Sequence, residues 1–361
     1  MKKTLLLTHE YYPFKGGVAR YCYNMFKFFD SQDYLVISDH PEVNSQDNIL
    51  HISLTNKFIK PSWLFGFWKV RALIKKHEIE QIFTPNILPL GSMAYWLGVP
   101  YIISLHGLDI NLALKNKPKL TTKILKKADK IIVNTKNTAK IISHLDLDKN
   151  NIHLVYPSLD FVVNYDDEKL LKIKQSLEIK SNDKVLLTVG RLNSRKGQDI
   201  VIRAINQLRK EFNLKYIIVG SGDFKKELLL LIRKYQLQDR VFIYSGVEDE
   251  DLIYYYKLAD IFVMPNRSSQ TDIEGFGIVF LEAARLGIPI IGGDGGGVTE
   301  LFTHEKEALL VKTDNLDQLI EYIRRLLNNP QEADKLAKRA LVRSQDFADA
   351  QAQSSLLSKI L

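Results

Sequence analysis

The sequence predicts an α/β protein built as two Rossmann-like domains whose parallel sheets face each other across a cleft. Three observations carry that prediction. Short, apolar, β-branched runs alternate with longer helical patterns along the whole chain, the signature of βαβ units. The runs number twelve, more than one doubly wound sheet holds comfortably. A polar stretch, Pro157–Glu168 ("PSLDFVVNYDDE"), separates them into two series, and such stretches mark domain boundaries. The 361 residues suffice for two domains of ordinary size, each with its own core.

In the first series the predicted strands are Thr4–Thr8, Tyr34–Ser38, Ile79–Thr84, Tyr101–Leu105, Lys130–Asn134 and Ile152–Tyr156. In the second they are Lys184–Gly190, Leu214–Gly220, Arg240–Ser245, Ile261–Met264, Ile288–Gly292 and Ala308–Lys312. Residues 1–163 and 164–346 are the expected domains. Open parallel sheets bind ligands beyond the carboxyl ends of their strands, so the loops there are where chemistry is expected.

The apolar runs are strand-length, so no segment is expected to span a bilayer. Lys2 and Lys3 imitate a signal-peptide start, but His9 and Glu10 end the apolar run too early. A lone cysteine, Cys22, excludes an internal disulfide framework and suits a reducing compartment, so a cytoplasmic location is expected. The net charge of +8 is uneven. Residues 1–163 carry 21 Lys/Arg against 13 Asp/Glu, whereas the rest of the chain is balanced. The first half is therefore suited to an anionic partner, either a phosphate-rich substrate or a membrane surface. A merely solvated lysine-rich face explains the charge as well. No nucleic-acid recognition module accompanies it.

The strongest local signal is "EGFGIVFLEAARLGIPII", Glu274–Ile291. Gly275 and Gly277 permit close backbone approach, and a helix beginning near Gly277 aims its free N–H groups at the preceding loop. Phosphate oxygens suit such a place. Glu274, in the loop, could accept hydrogen bonds from sugar hydroxyls, and Glu282, on the helix, from a ribose diol. Alternatively the two acids are simply solvated. "VGRLNSRKG", Val189–Gly197, puts Arg191 and Lys196 on a strand-end loop, where they could clamp a diphosphate. Near the amino terminus Gly16 and Gly17 stand between strand and helix, as a phosphate-approaching turn or only a tight one. "ISLHGLDI" places His106 and Asp109 at the end of another strand. "GGDGGGVTE", Gly292–Glu300, is either a ligand contact or a flexible turn.

Taken in order, these features resemble the retaining glycosyltransferases of family 4 (group 1), which have the GT-B fold. The pair Glu274 and Glu282 matches that family's two-glutamate motif with its spacing. The resemblance implies that Glu274 and the amides of Gly275, Phe276, Gly277 and Ile278 hold the transferred sugar, and that Glu282 holds the ribose. It assigns Arg191 and Lys196 to the diphosphate, Gly17 to the amino-terminal glycine loop and His106 to the reacting sugar. Val247, in "YSGVEDEDL", falls where the backbone meets the nucleobase. A terminal helix at 347–361 would return to the first domain. The stretch "TDIEGFGIVFLEA" looks most like the phosphatidylinositol mannosyltransferase branch, which uses GDP-mannose.

The implied reaction is departure of a nucleoside diphosphate while an acceptor hydroxyl attacks the same face, with the protein positioning and stabilising the leaving group. The donor is a GDP- or UDP-sugar, and neither cofactor nor metal is expected. Asp109 is a candidate contact for the acceptor, and no DxD-like aspartate pair stands in a suitable loop. Rivals are an epimerase or hydrolase acting on the donor alone, and a non-catalytic sugar-nucleotide binder. Lys60–His77 combines Trp63, Phe65, Phe67 and Trp68 with five cations, and lysines 115–127 follow the His106 loop. Aromatics beside cations suit a headgroup interface, which would make the acceptor a lipid or lipid-linked glycan at the inner face of the cytoplasmic membrane. Inward packing of the aromatics is the alternative.

Overall fold

The computed structural model describes residues 2–14, 16–40, 48–159, 164–267 and 275–361. Two compact units result: Met1–Asp160 with Asp349–Leu361, and Phe161–Ala348. The first holds strands β1 (Thr4–Thr8), β2 (Tyr34–Ser38), β3 (Ile49–His51), β4 (Gln81–Thr84), β5 (Tyr101–Leu105), β6 (Lys130–Val133) and β7 (Ile152–Leu154). The second holds β8 (Lys184–Val189), β9 (Leu214–Val219), β10 (Val241–Tyr244), β11 (Ile261–Met264), β12 (Ile290–Gly293) and β13 (Leu309–Val311). Every pairing between these strands is parallel.

The sheet orders are β3-β2-β1-β4-β5-β6-β7 and β10-β9-β8-β11-β12-β13. Each is the doubly wound order, reversing direction at β1/β4 in one unit and β8/β11 in the other. All twelve predicted strands are present, most of them a residue or two shorter. The addition is β3, three residues on the first sheet's edge, too short and too polar around its ends to stand out in the sequence.

The central strands are buried from both sides, which is why they read as continuous apolar runs. In β1, Leu5 and Leu7 enter one core while Leu6 enters the other. The first core lies under helices Leu64–Lys76, Leu90–Leu97 and Pro118–Lys127 through Val70, Met93 and Ile124. The opposite core takes Tyr21, Cys22, Met25 and Phe26 from helix Gly17–Phe26. Each fully buried leucine contributes about 1.5–3 kcal/mol, so a one-residue slip of a central strand is strongly disfavoured.

Leu357, Ile360 and Leu361 join that second core from the terminal helix, which runs Ala350–Ile360 behind an Asp349 cap. Ser354 Oγ donates to the Met25 carbonyl at 2.8 Å, and Gln81 Nε2 donates to the Leu361 carbonyl at 3.0 Å. The expected helix at 347–361 therefore begins later. Phe347 closes the preceding helix, Pro330–Ala348, and its ring packs edge-on against Phe276, 5.7 Å away.

In the second unit, helices Gln198–Leu208 and Leu316–Asn328 cover one face through Val201, Ile205, Leu319 and Ile323. On the other, Phe262 of β11 lies between Tyr256 and Phe280, with ring centroids 5.9 and 5.4 Å away. No helix among the described residues is long and apolar enough to cross a membrane.

Candidate active site

The carboxyl edge of the second sheet is made of backbone brought close to backbone. A Cβ on Gly220, just past β9, would stand 2.0 Å from the Gly190 carbonyl oxygen, and its φ of +153° disfavours other residues as well. A Cβ on Gly293 would stand 2.0 Å from the Asn266 carbonyl, and one on Gly297 2.3 Å from that of Gly275. The Gly292–Glu300 stretch is therefore compelled by packing. It is more than a flexible turn.

Lys196 ends the short 3₁₀ turn Ser194–Lys196, capped by Asn193, whose Oδ1 accepts from the Lys196 N–H at 3.3 Å. The Lys196 side chain is largely buried, at 7 % exposure, and runs over Gly190: Nζ lies 3.8 Å from where a Cβ there would stand. Arg191, on the same loop, is exposed. The structure thus brings the two cations to one strand end in different settings. One is held down and one is in solvent.

Glu274 and 268–273 lie outside the described residues. Gly275, Phe276 and Gly277 lead into helix Ile278–Arg285. Gly277 is its N-cap in a left-handed conformation (φ 79°), and no side chain caps the helix, so its first N–H groups are not met by a capping residue. Phe276 is buried. Glu282 is also buried, at 0 % exposure, and accepts a 2.6 Å hydrogen bond from Tyr256 Oη. It is not a solvated acid. A buried carboxylate needs such donors, and Tyr256, on helix Leu252–Leu258, was not legible as its partner. Val247 follows β10, partly exposed, just past Gly246.

The first sheet's carboxyl edge carries side chains instead. His106 follows β5, and its ring is framed on three sides. Ser104 Oγ is 3.4 Å from Nε2, Asn134 Nδ2 is 3.5 Å from Nδ1, and the Tyr21 ring meets it edge-on at 4.8 Å. Burial pushes its pKa down to about 4, so the imidazole is neutral at pH 7. Gly107 (φ 93°) turns the chain into helix Leu108–Asn116, whose Asp109 accepts the His106 backbone N–H at 2.9 Å. Burial pushes Asp109 up to about 6, against backbone hydrogen bonds that favour the carboxylate. Its other oxygen is buried with no hydrogen-bond partner.

Gly16 and Gly17 open helix Gly17–Phe26, which also lacks a side-chain cap. A Cβ on Gly17 would meet nothing within 4 Å, so the protein itself does not require glycine there. A second polar cluster, unremarked in the sequence, lies past the ends of β1 and β2. Asp39 faces His9 Nδ1 at 3.3 Å and accepts from the Leu54 N–H and Thr55 Oγ1 at 2.8 and 3.0 Å. Burial would raise the Asp39 pKa, but these hydrogen bonds outweigh it and hold it below its ordinary value.

Two doubly wound parallel sheets, each with its carboxyl edge so furnished, have the architecture of the GT-B type. The Glycosyltransferase Family 4 domain matches residues 15–161, and the Glycosyl transferases group 1 domain matches 171–343. The chain belongs to this family. Among its relatives, the GDP-mannose-dependent alpha-(1-6)-phosphatidylinositol monomannoside mannosyltransferase of Mycobacterium tuberculosis is 35% identical over 145 residues. That match covers 39% of this chain and only 38% of the relative's length. The GDP-mannose-dependent monoacylated alpha-(1-6)-phosphatidylinositol monomannoside mannosyltransferase of Corynebacterium glutamicum is 26% identical over 346 residues, covering 91% and 90% of the two chains. Among solved structures, HepE of Anabaena in complex with UDP and glucose superposes with a TM-score of 0.84 at 19% identity, over 99% of both chains. WaaG, a glycosyltransferase involved in lipopolysaccharide biosynthesis, gives 0.78 at 17% identity over 99% of both.

Proposed function

We propose that the chain is a retaining hexosyltransferase that moves a sugar, mannose by preference, from a nucleoside-diphosphate donor to a lipid-linked or glycan acceptor. The observation that carries the proposal is Lys196 laid along Gly190 at the end of β8, beside strand ends that only glycine fits. Such a place suits a diphosphate, because a cation and close backbone meet it without intervening side chains. Loss of the diphosphate builds negative charge on the leaving oxygens, and a held cation stabilises it most where water is excluded. Arg191 adds a second charge from the solvent side.

The mannose preference draws on the GDP-mannose-dependent relatives. Retention draws on the family resemblance: the acceptor hydroxyl attacks the face the diphosphate leaves, and the departing phosphate helps to take its proton. The neutral His106 then serves as a hydrogen-bonding group beside the sugar. Glu274 and the amides of 275–278 hold the sugar, Glu282 the ribose and Val247 the base; the Gly16–Gly17 turn lets backbone amides approach a phosphate, and Asp109 touches the acceptor.

An interfacial location at the inner face of the cytoplasmic membrane fits the first unit's surface. Phe67 packs inward, but Trp68 is 68 % exposed and Phe58 84 %. Lys57 lies over the Phe58 ring and Lys69 over Phe65, at 5.1 and 5.9 Å. Rings and lysines arranged so suit anionic headgroups, at about 1 kcal/mol per cation near the surface.

A thermal-shift panel of GDP, UDP, ADP and their sugars tests the donor reading, since a bound ligand raises the melting temperature. Stabilisation by a guanine nucleotide above the others is expected. No stabilisation by any of them would overturn the reading, and donor consumption without acceptor would favour a hydrolase.

A further inference from the structure

We propose that Arg267 is a positioning residue for Lys196: it does not touch the donor, but holds the turn that carries the lysine. The inference rests on the reading of Lys196 as a diphosphate contact.

Arg267 stands three residues past β11, beside the β8 loop. Its two terminal nitrogens donate to the two Asp199 oxygens at 2.8 and 2.9 Å, the bidentate geometry that arginine alone provides. Nε donates to Asp314 Oδ1 at 2.6 Å. One terminal nitrogen also donates to the Ser194 carbonyl, and the Arg267 backbone N–H donates to the Arg195 carbonyl at 2.7 Å. Two successive carbonyls of the Ser194–Lys196 turn are thus held by one residue. The next residue is gripped as well, for a Cβ on Gly197 would stand 2.4 Å from the Pro265 carbonyl. Asp199, 8 % exposed, anchors the helix that follows the turn.

Charge shows why Arg267 acts through the turn. Two carboxylates face its guanidinium, with Arg203 standing off Asp199 at 3.8 Å, so the cluster offers a diphosphate no excess positive charge. The Asp314 carboxylate comes from a residue in the uncommon left-handed region (φ 58°). Remove the fork, and the turn loses the donor to its Ser194 carbonyl while buried Asp199 keeps only Arg203, at 3.8 Å.

The test is a double-mutant cycle between Arg267→Gln and Lys196→Ala, read by calorimetric affinity for GDP, UDP and ADP. If Arg267 acts through Lys196, Arg267→Gln weakens the preferred nucleotide about tenfold in the wild-type background and less than about twofold beside Lys196→Ala. Arg324→Gln, which removes an equally bidentate pair to Glu211 on the same unit, should leave affinity unchanged. Where Arg267→Gln fails to fold, the charge-balanced Asp199→Asn/Arg267→Gln variant takes its place in the cycle. Equal losses in the two backgrounds, or full affinity in a folded variant, overturn the inference and leave the donor site standing. A harmless Lys196→Ala, or wild-type protein that binds none of the three nucleotides, overturns the donor reading and this inference with it.

Discussion

The two units share one order over six strands, the first adding a seventh, yet furnish their carboxyl edges from different materials. In the second unit the edge is backbone: Gly220 against Gly190, Gly293 against Asn266, Gly297 against Gly275, with Lys196 laid across. In the first it is side chains: Tyr21, Ser104 and Asn134 around His106, and Asp39 with His9. A fold common to both settles where a ligand is met, and the residues at the strand ends settle by what. Backbone N–H groups and one held cation suit a charge that hardly varies, such as a diphosphate. Oriented side chains suit a sugar or hydroxyl that must be told from its isomers.

That contrast can be broken most sharply at its charged contacts. Lys196→Ala and Glu274→Ala should each lower the transfer rate about 100-fold, roughly 3 kcal/mol of barrier, with the melting temperature little changed. Near-normal rates in folded variants would remove both residues from the site.

Glycine substitutions sharpen the comparison next. Gly220→Ala drives a methyl group into the Gly190 carbonyl and should lower stability by at least about 2 kcal/mol, visible as a shifted urea midpoint. Gly17→Ala meets open space and should leave that midpoint unchanged while reducing activity, the outcome expected where substrate fills that room as proposed. Equal behaviour of the two variants would erase the distinction.

His106→Ala should cut turnover while leaving calorimetric affinity for the nucleoside diphosphate within about threefold, since the proposed nucleotide contacts are on the other unit. Collapse of that affinity would show the division of roles to be wrong.

The smallest expected effect is in acid. The Asp109 pKa is raised to about 6, so its contribution to stability is full below its unfolded value, 3.8, and is lost as pH rises through about 6. The His106 pKa is lowered to about 4, so its contribution is present above 6.5 and is lost as pH falls through about 4. Between about pH 4 and 6 the two oppose each other. Asp109→Asn should therefore lose stability more steeply than wild type on acidification through that window, and His106→Asn less steeply. Urea midpoints at pH 4.5, 6 and 7.5 measure the difference, and parallel curves for all three proteins would mean that neither group is perturbed.

Much of this was legible beforehand for a local reason. A strand covered on both faces must be apolar at every position, so the central strands announced themselves within a few residues, and β7 and β10 did so through their β-branched and aromatic residues. β3 did not, since its burial falls away from Ile49 to His51 along an edge. Candidate site residues were legible where a glycine, a charge or a histidine directly follows a strand, as at Gly190–Arg191 or Leu105–His106. Their partners were not. Tyr256 lies 26 residues from Glu282, Asn134 28 from His106, and Asp199 68 from Arg267. No period or spacing links such pairs.

By itself, then, the sequence determined the alternation of strand and helix, the division into two series and the places where the chain emerges at a strand end. Those follow from burial and backbone freedom, which act between neighbours. Only the tertiary structure decided that Lys196 is held down while Arg191 is solvated, that Glu282 is buried beneath a tyrosine, and that His106 is neutral. Each of these depends on which distant atoms displace water from the group, and that is settled only when the sheets assemble.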